Sequence, residues 1–100
     1  TRIRTAARQA VTDKLRDPSS AQFRNVRRIE HSNGSTMFCG EVNARNAYGG
    51  MAGFVRFEAG VTNRGSASAQ LDSSETLTGT YFESAWNQFC GRIAGTPVQF

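Results

Sequence analysis

The run Cys39-Gly40-Glu41-Val42-Asn43-Ala44-Arg45-Asn46-Ala47-Tyr48-Gly49-Gly50-Met51-Ala52-Gly53-Phe54 constrains this chain more than any other segment. It contains one of the two cysteines and four glycines in sixteen residues, and it passes from strand-like alternation into a glycine-dense loop. Successive side chains of a strand point to opposite faces, so Phe38, Gly40, Val42 and Ala44 share one face and Met37, Cys39, Glu41 and Asn43 the other. The cysteine therefore points away from Phe38 and Val42, toward whatever covers the second face.

The flanking segments supply partners for that strand. Residues 23–31 read as strand, although Val26 and Ile29 stand three apart and break the alternation. Ser32-Asn33-Gly34-Ser35 contains the Asn-Gly pair that favours a two-residue hairpin turn, since both central positions of that turn need positive φ. The strands 23–31 and 36–45 are accordingly antiparallel. A second turn at Asn46-Ala47-Tyr48-Gly49-Gly50 and a strand from Gly53 to Ala59 extend the meander to three strands. Residues 60–79 are rich in serine, threonine, glycine and asparagine, and Ala67, Ala69 and Leu71 alternate well enough for a short fourth strand at the edge.

Helices bracket the meander. Ile3, Ala6, Ala7, Ala10, Val11 and Leu15 recur at steps of three and four, predicting a helix over residues 2–16 whose alanine-rich stripe buries little area and needs a partner. Asp17-Pro18 ends it, and Asp17-Pro18-Ser19-Ser20 has the form of a short helical turn. Tyr81, Phe82, Ala85, Trp86, Phe89, Cys90 and Ile93 repeat at helical spacing over 81–93. Thr80 with Glu83 fits a capping box, and Gly95 before Pro97 fits a helix stop. The expected fold is a single α+β domain over residues 1–100: N-terminal helix, antiparallel meander of three or four strands, and a C-terminal amphipathic helix packed on the sheet.

A chain of 100 residues builds an adequate but not generous core, so one cross-link matters. Two cysteines and a single histidine cannot make the usual four-ligand zinc site, and no metal or cofactor is expected. Cys90 lies on the apolar stripe of the last helix and so faces the sheet that carries Cys39. In an oxidising compartment the two would form a disulfide worth about 2–4 kcal/mol; two buried free thiols are the alternative.

The cations are eleven arginines and Lys14, and they are unevenly placed. Residues 1–28 carry eight cations and two acids, +6, whereas residues 29–100 carry four cations and six acids, −2. Arg2, Arg4, Arg8 and Arg16 form a basic face on the first helix, suited to phosphates, anionic lipid, an acidic partner or simply water. No apolar run approaches the roughly 20 residues of a membrane span. The chain opens at Thr1 without a leader, and a signal peptide or anchor removed upstream is the expectation.

No catalytic set is legible. His31, the only histidine, sits beside a turn with no nucleophile arranged next to it, and an exposed position is expected. Glu41 and Glu58, on neighbouring strands, could approach as a carboxylate pair, but acids on the solvent face of a meander would instead pair with Arg45 or Arg56. Gly49-Gly50-Met51-Ala52-Gly53 is followed by neither Gly-Lys-Ser/Thr nor a helix, so it is no phosphate loop. Arg24, Arg27, Arg28, Arg45 and Arg56 with Phe23, Tyr48, Phe54 and Phe57 could assemble a base-stacking face, yet a small core needs those aromatics.

Residues 14–26, Lys-Leu-Arg-Asp-Pro-Ser-Ser-Ala-Gln-Phe-Arg-Asn-Val, and residues 39–57, opening Cys-Gly-Glu-Val-Asn-Ala-Arg-Asn-Ala-Tyr-Gly-Gly, resemble a group of small exported or prophage-borne bacterial proteins of uncharacterised function. Arg45 stands where that group commonly has lysine. Members often carry an export or lipoprotein leader, so the resemblance implies a periplasmic or secreted location and no established activity.

The expectation is thus a non-enzymatic protein-binding module of the bacterial envelope, such as an immunity or inhibitor protein for a secreted toxin or cell-wall enzyme. Its partner surface is the loop tip Tyr48, Gly49, Gly50 and Met51, where an aromatic and a methionine on a glycine-rich backbone have no evident core role. An assembly component of an envelope machine or phage particle, and a nucleic-acid accessory protein using the basic face, are the alternatives.

Overall fold

The computed structural model describes residues 2–72, 79–91 and 95–100. The chain is α+β, with an N-terminal helix and a five-stranded antiparallel sheet. Helix α1 (Arg2–Thr12) leads through a 3₁₀ turn (Pro18–Ser20) to β1 (Gln22–Glu30), β2 (Thr36–Asn43), β3 (Val55–Val61) and β4 (Ala67–Leu71). Helix α2 (Gly79–Trp86) continues as a π-helical turn (Asn87–Gly91), and Thr96–Pro97 forms β5. The strand order is β4-β3-β2-β1-β5.

Several expected boundaries shift. Helix α1 stops at Thr12, four residues before the expected end, because the Thr12 hydroxyl donates to Gln9 O (3.1 Å) and the next amides, Lys14 and Leu15, reach back only three residues. Threonine and aspartate compete in this way with the helical ladder. The β1–β2 turn is a three-residue loop rather than a two-residue one. Gly34 N donates to His31 O and His31 N to Ser35 O, with positive φ at Gly34 alone. Thr62–Ser66 and Asn46–Gly50 repeat the same hydrogen bonds with Gly65 and Gly49 in the left-handed position, so one turn design serves three times.

Broken alternation in β1 turns out to be a β-bulge. Arg24 pairs with Glu41 and Arg27 with Cys39, leaving Asn25 and Val26 opposite Gly40. Asn25 takes the left-handed conformation (φ 55°), which asparagine tolerates better than most residues, and its Nδ2 donates to Glu41 Oε1 at 2.9 Å. Phe23 and Val26 thereby both face α1, while Arg27 and Ile29 face the opposite layer.

On the α1 side, Ala7 and Val11 are fully buried against Val26, Phe38, Val42, Phe57, Ala59, Val61, Ala69 and Leu71. The alanines let the helix approach the small residues of β3 and β4 closely. A fifth strand, which the expected three- or four-stranded meander lacks, carries residues 96–100 along the edge of β1: Arg27 pairs with Pro97 and Val98 N donates to Val26 O. It delivers Phe100 into the core, 5.1 Å from Phe23, 5.1 Å from Phe38 and 5.5 Å from Phe57 between ring centres.

The other face carries a smaller cluster of Ile29, Cys39 and Cys90 with Met37, Trp86 and Phe89 packed around it. Cys39 and Cys90 are joined in a disulfide, both fully buried, with Cα atoms 6.0 Å apart. Helix α2 opens at Gly79, so Thr80 is not its N-cap, and Glu83 binds Arg56 instead of closing a capping box. Ile93 lies outside the described residues. Where a helix stop was expected, Gly95 packs against Arg28 O and leads into β5.

Because the disulfide spans 51 positions, the reduced protein, or a Cys39→Ser/Cys90→Ser variant, should lose about 2–4 kcal/mol. Thermal unfolding with and without reductant should show a midpoint lower by on the order of 15 °C.

Candidate functional site

Beyond Asn43 the β2–β3 hairpin continues as an arm over residues 44–54. Arg45 pairs with Met51 in an isolated bridge, and Ala52 N donates to Ala44 O at 3.0 Å, so the two sides of the arm are held together past the end of the sheet. Side chains brace it further. Asn43 Oδ1 accepts from Gly53 N (2.8 Å), and Asn46 Oδ1 accepts from both Tyr48 N (2.9 Å) and Gly50 N (3.2 Å). A side-chain carbonyl collecting two amides of its own loop fixes the turn without any contact to the core.

The base of the arm is clamped by the 3₁₀ turn. Ser20 Oγ accepts from Arg45 N at 2.8 Å while donating to Asp17 O at 2.7 Å, and the Asp17 carboxylate lies 4.0 Å from Arg45 Nη1. The Asp17-Pro18-Ser19-Ser20 motif and the glycine-rich loop therefore form one mechanical unit.

At the tip Tyr48 is 97% exposed and Met51 43% exposed, the two large hydrophobic side chains left open to solvent among the described residues. Gly49, Gly50 and Gly53 have nothing within 4 Å of where a side chain would begin. The tip does not fold back on its own sheet. A tyrosine on such a turn offers a flat, amphipathic surface for which the backbone part of the ordering cost is largely met before contact.

The other residues singled out from sequence are dispersed. Arg4 and Arg8 donate to the backbone oxygens of Gln99 and Phe100 (3.4 and 3.2 Å), so half of the expected basic face ties α1 to the segment that follows β5. All four arginines are solvent-exposed, and Arg2 and Arg16 make no such bond among the described residues. Phe57 is fully buried and Phe23 packs with it edge to face at 5.7 Å, whereas Arg56 and Arg27 lie on the opposite face. The imagined stacking platform of arginines and aromatics does not assemble; only Arg24 over Phe54, at 3.8 Å, resembles it.

His31 is half-buried rather than exposed, edge-on to Phe89 at 6.2 Å, and its buried Nε2 has no hydrogen-bond partner among the described residues. The acids also differ from expectation. Glu41 pairs with Arg24 (3.1 Å) and Asn25 rather than with Arg45 or Arg56, and those hydrogen bonds, Arg24's first, lower its pKa despite partial burial. Arg56 instead bridges Asp72 (2.8 Å) and Glu83 and lies over the Phe82 and Trp86 rings, an arrangement that holds its charge firmly. Glu58 is not on a solvent face at all: it is only 7% exposed, opposite Cys39 and Gln70, with Oε2 3.9 Å from Cys90 Sγ. A disulfide sulfur has no proton to donate, so that contact leaves the carboxyl without a hydrogen-bond donor among the described residues, and desolvation raises its pKa.

Glu58 reads from sequence as a solvent-face acid because its alternation with Arg56 and Gly60 looks amphipathic, and the core role of Phe100 has no local signal after the helix stop expected at Gly95 and Pro97. The register that buries Glu58 follows from its place opposite Cys39, the one strong mark of a covered second face. Among the described residues no group of three or more His, Cys, Asp or Glu is placed to hold a metal ion, and no helix is long and apolar enough to cross a membrane. No protein-family model matches the chain, and neither the curated proteins nor the solved structures searched gave a significant match.

Glu58 and Glu41 bend the pH profile of stability in opposite directions. With its folded pKa raised above the ordinary 4.5, Glu58 favours folding below that value, and this contribution is lost as pH rises through the folded pKa. Glu41, lowered, contributes above 4.5 and loses its contribution as pH falls. Denaturant unfolding from pH 4 to 8 should therefore show Glu58→Gln gaining on the wild type as pH rises above about 4.5. A difference that stays flat across this range would contradict a buried, unpaired Glu58.

Proposed function

We propose that this protein is a non-enzymatic binding module of the bacterial envelope that engages a partner protein through the 44–54 arm. One observation carries the reading: Tyr48, 97% exposed, stands on a hairpin braced by Asn43, Asn46 and Ser20, with Met51 beside it. Exposed large apolar side chains on a pre-formed element are the kind of anchor from which interfaces draw most of their energy. A narrow projecting hairpin with an aromatic tip suits a concave partner, as an inhibitor or immunity protein meets the cleft of a toxin or cell-wall enzyme.

Two further points support a location outside the cytoplasm. The Cys39–Cys90 disulfide persists best in an oxidising compartment, and the Asp17–Val26 and Cys39–Gly53 segments resemble a group of small exported or prophage-borne bacterial proteins whose members often carry an export or lipoprotein leader. The nucleic-acid reading loses ground, since Arg4 and Arg8 are engaged with the chain's own backbone.

Capture from envelope and secreted fractions with the oxidised protein, repeated with Tyr48→Ala/Met51→Ala, should yield a stoichiometric protein retained by the wild type alone. Rebinding of that purified protein should weaken by about thirtyfold or more in the double variant, with an unchanged unfolding midpoint. Equal binding by both forms, or recovery of nucleic acid in place of protein, would contradict the proposal.

A further inference from the structure

At the end of the sheet opposite the arm, the β1–β2 and β3–β4 turns abut so closely that a side chain at position 34 would begin 3.1 Å from Asn63 Cβ. Between these turns and the start of α1 lies an open groove of about 910 Å³. Three arginines from three separate elements line it: Arg2 of α1, Arg28 of β1 and Arg64 of the β3–β4 turn. Ile3, Ala6 and Val61 supply apolar wall between them. We propose that this groove binds a small soluble phosphate monoester carrying a short apolar group, the phosphate held by Arg2, Arg28 and Arg64 and the apolar group against Ile3, Ala6 and Val61.

Charge complementarity argues for this occupant. Like charges gathered around one cavity repel, and an anion between them reverses the sign of that interaction. Arg28 is positioned by Glu30 at 3.1 Å and lies 5.8 Å above the Phe38 ring, whereas Arg2 and Arg64 form no ion pair among the described residues. Among the described residues, the three lining arginines less the Glu30 carboxylate that pairs with Arg28 give a charge of +2. A phosphate monoester carries about −1.5 to −2 at neutral pH and offers several oxygens, which suits guanidinium forks approaching from different directions; one carboxylate would leave a cation unmatched. The volume lies in the range of about 300–1,000 Å³ usual for small-molecule sites. This site is independent of the arm, and its failure would leave the arm's role untouched.

Amide and methyl NMR titrations of the oxidised protein with octyl phosphate, inorganic phosphate and octyl glucoside test the proposal. Octyl phosphate should shift Ala6 and Val61 and bind at least about tenfold more tightly than inorganic phosphate, with octyl glucoside giving no saturable shift there. Arg64→Ala alters an exposed turn residue and should leave the unfolding midpoint in place while weakening octyl phosphate about tenfold; Arg64→Lys should recover only part of that loss. Octyl phosphate and inorganic phosphate binding alike, shifts located elsewhere, indifference to Arg64→Ala, or Arg64-dependent binding confined to phosphatidic acid vesicles would each overturn it.

Discussion

The sheet depends on one close approach, that of Val26 to Gly40. A side chain at position 40 would begin 2.9 Å from Val26 Cγ2, 3.0 Å from Val26 Cα and 3.1 Å from Phe57 Cε2, distances that real Cβ atoms barely reach. The crowding exists because β1 presents two residues, Asn25 and Val26, to the one position of β2. A one-residue change of register moves every following side chain to the other face. The bulge makes that change on purpose: Phe23 and Val26 both join the α1 layer, and Arg27 and Ile29 then join the disulfide layer. Both covered faces rest on position 40 having no side chain.

From that frame the molecule divides by end as well as by face. The α1 face is an apolar core sealed by Phe100. The opposite face is covalently closed and holds polar groups unusual for so small an interior, with Glu58 under the disulfide and Gln70 Oε1 buried without a partner among the described residues. Of the two ends, one extends as the braced arm and the other gathers Arg2, Arg28 and Arg64 around a groove. The proposed binding features thus sit where loops project from a scaffold held on both faces, the usual division of labour between sheet and loop.

Much of this was legible in the residues. The faces of β2, the position of β4 and the cysteine pairing followed from period-two alternation and from Cys90 lying on an apolar stripe. The exposed tip followed from Tyr48 and Met51 having no role in that pattern. What stayed hidden has physical causes. Val26 and Ile29 looked like a weak strand because a bulge is a local departure from the very period used to find strands, though Asn25 and Gly40 were its visible marks. The hairpin loops share a glycine three places after the residue that opens each turn, His31, Asn46 and Thr62, a pattern that the Asn-Gly pair obscured. Arg4 and Arg8 looked like a free basic face because nothing local shows that residues 99 and 100 return to meet them.

The most direct test compares two alanine substitutions in the same sheet, Gly40→Ala and Gly60→Ala, by denaturant unfolding of the oxidised protein. At position 60 a side chain would meet only Met37, at an ordinary 3.5 Å from Cε and 3.9 Å from Sδ. Gly60→Ala should be neutral or raise stability by up to about 1 kcal/mol, while Gly40→Ala should cost on the order of 2–3 kcal/mol through overpacking against Val26 and Phe57. Equal effects at the two positions would mean that the Val26 approach does not govern the sheet, and the assignment of its two faces would have to be made anew.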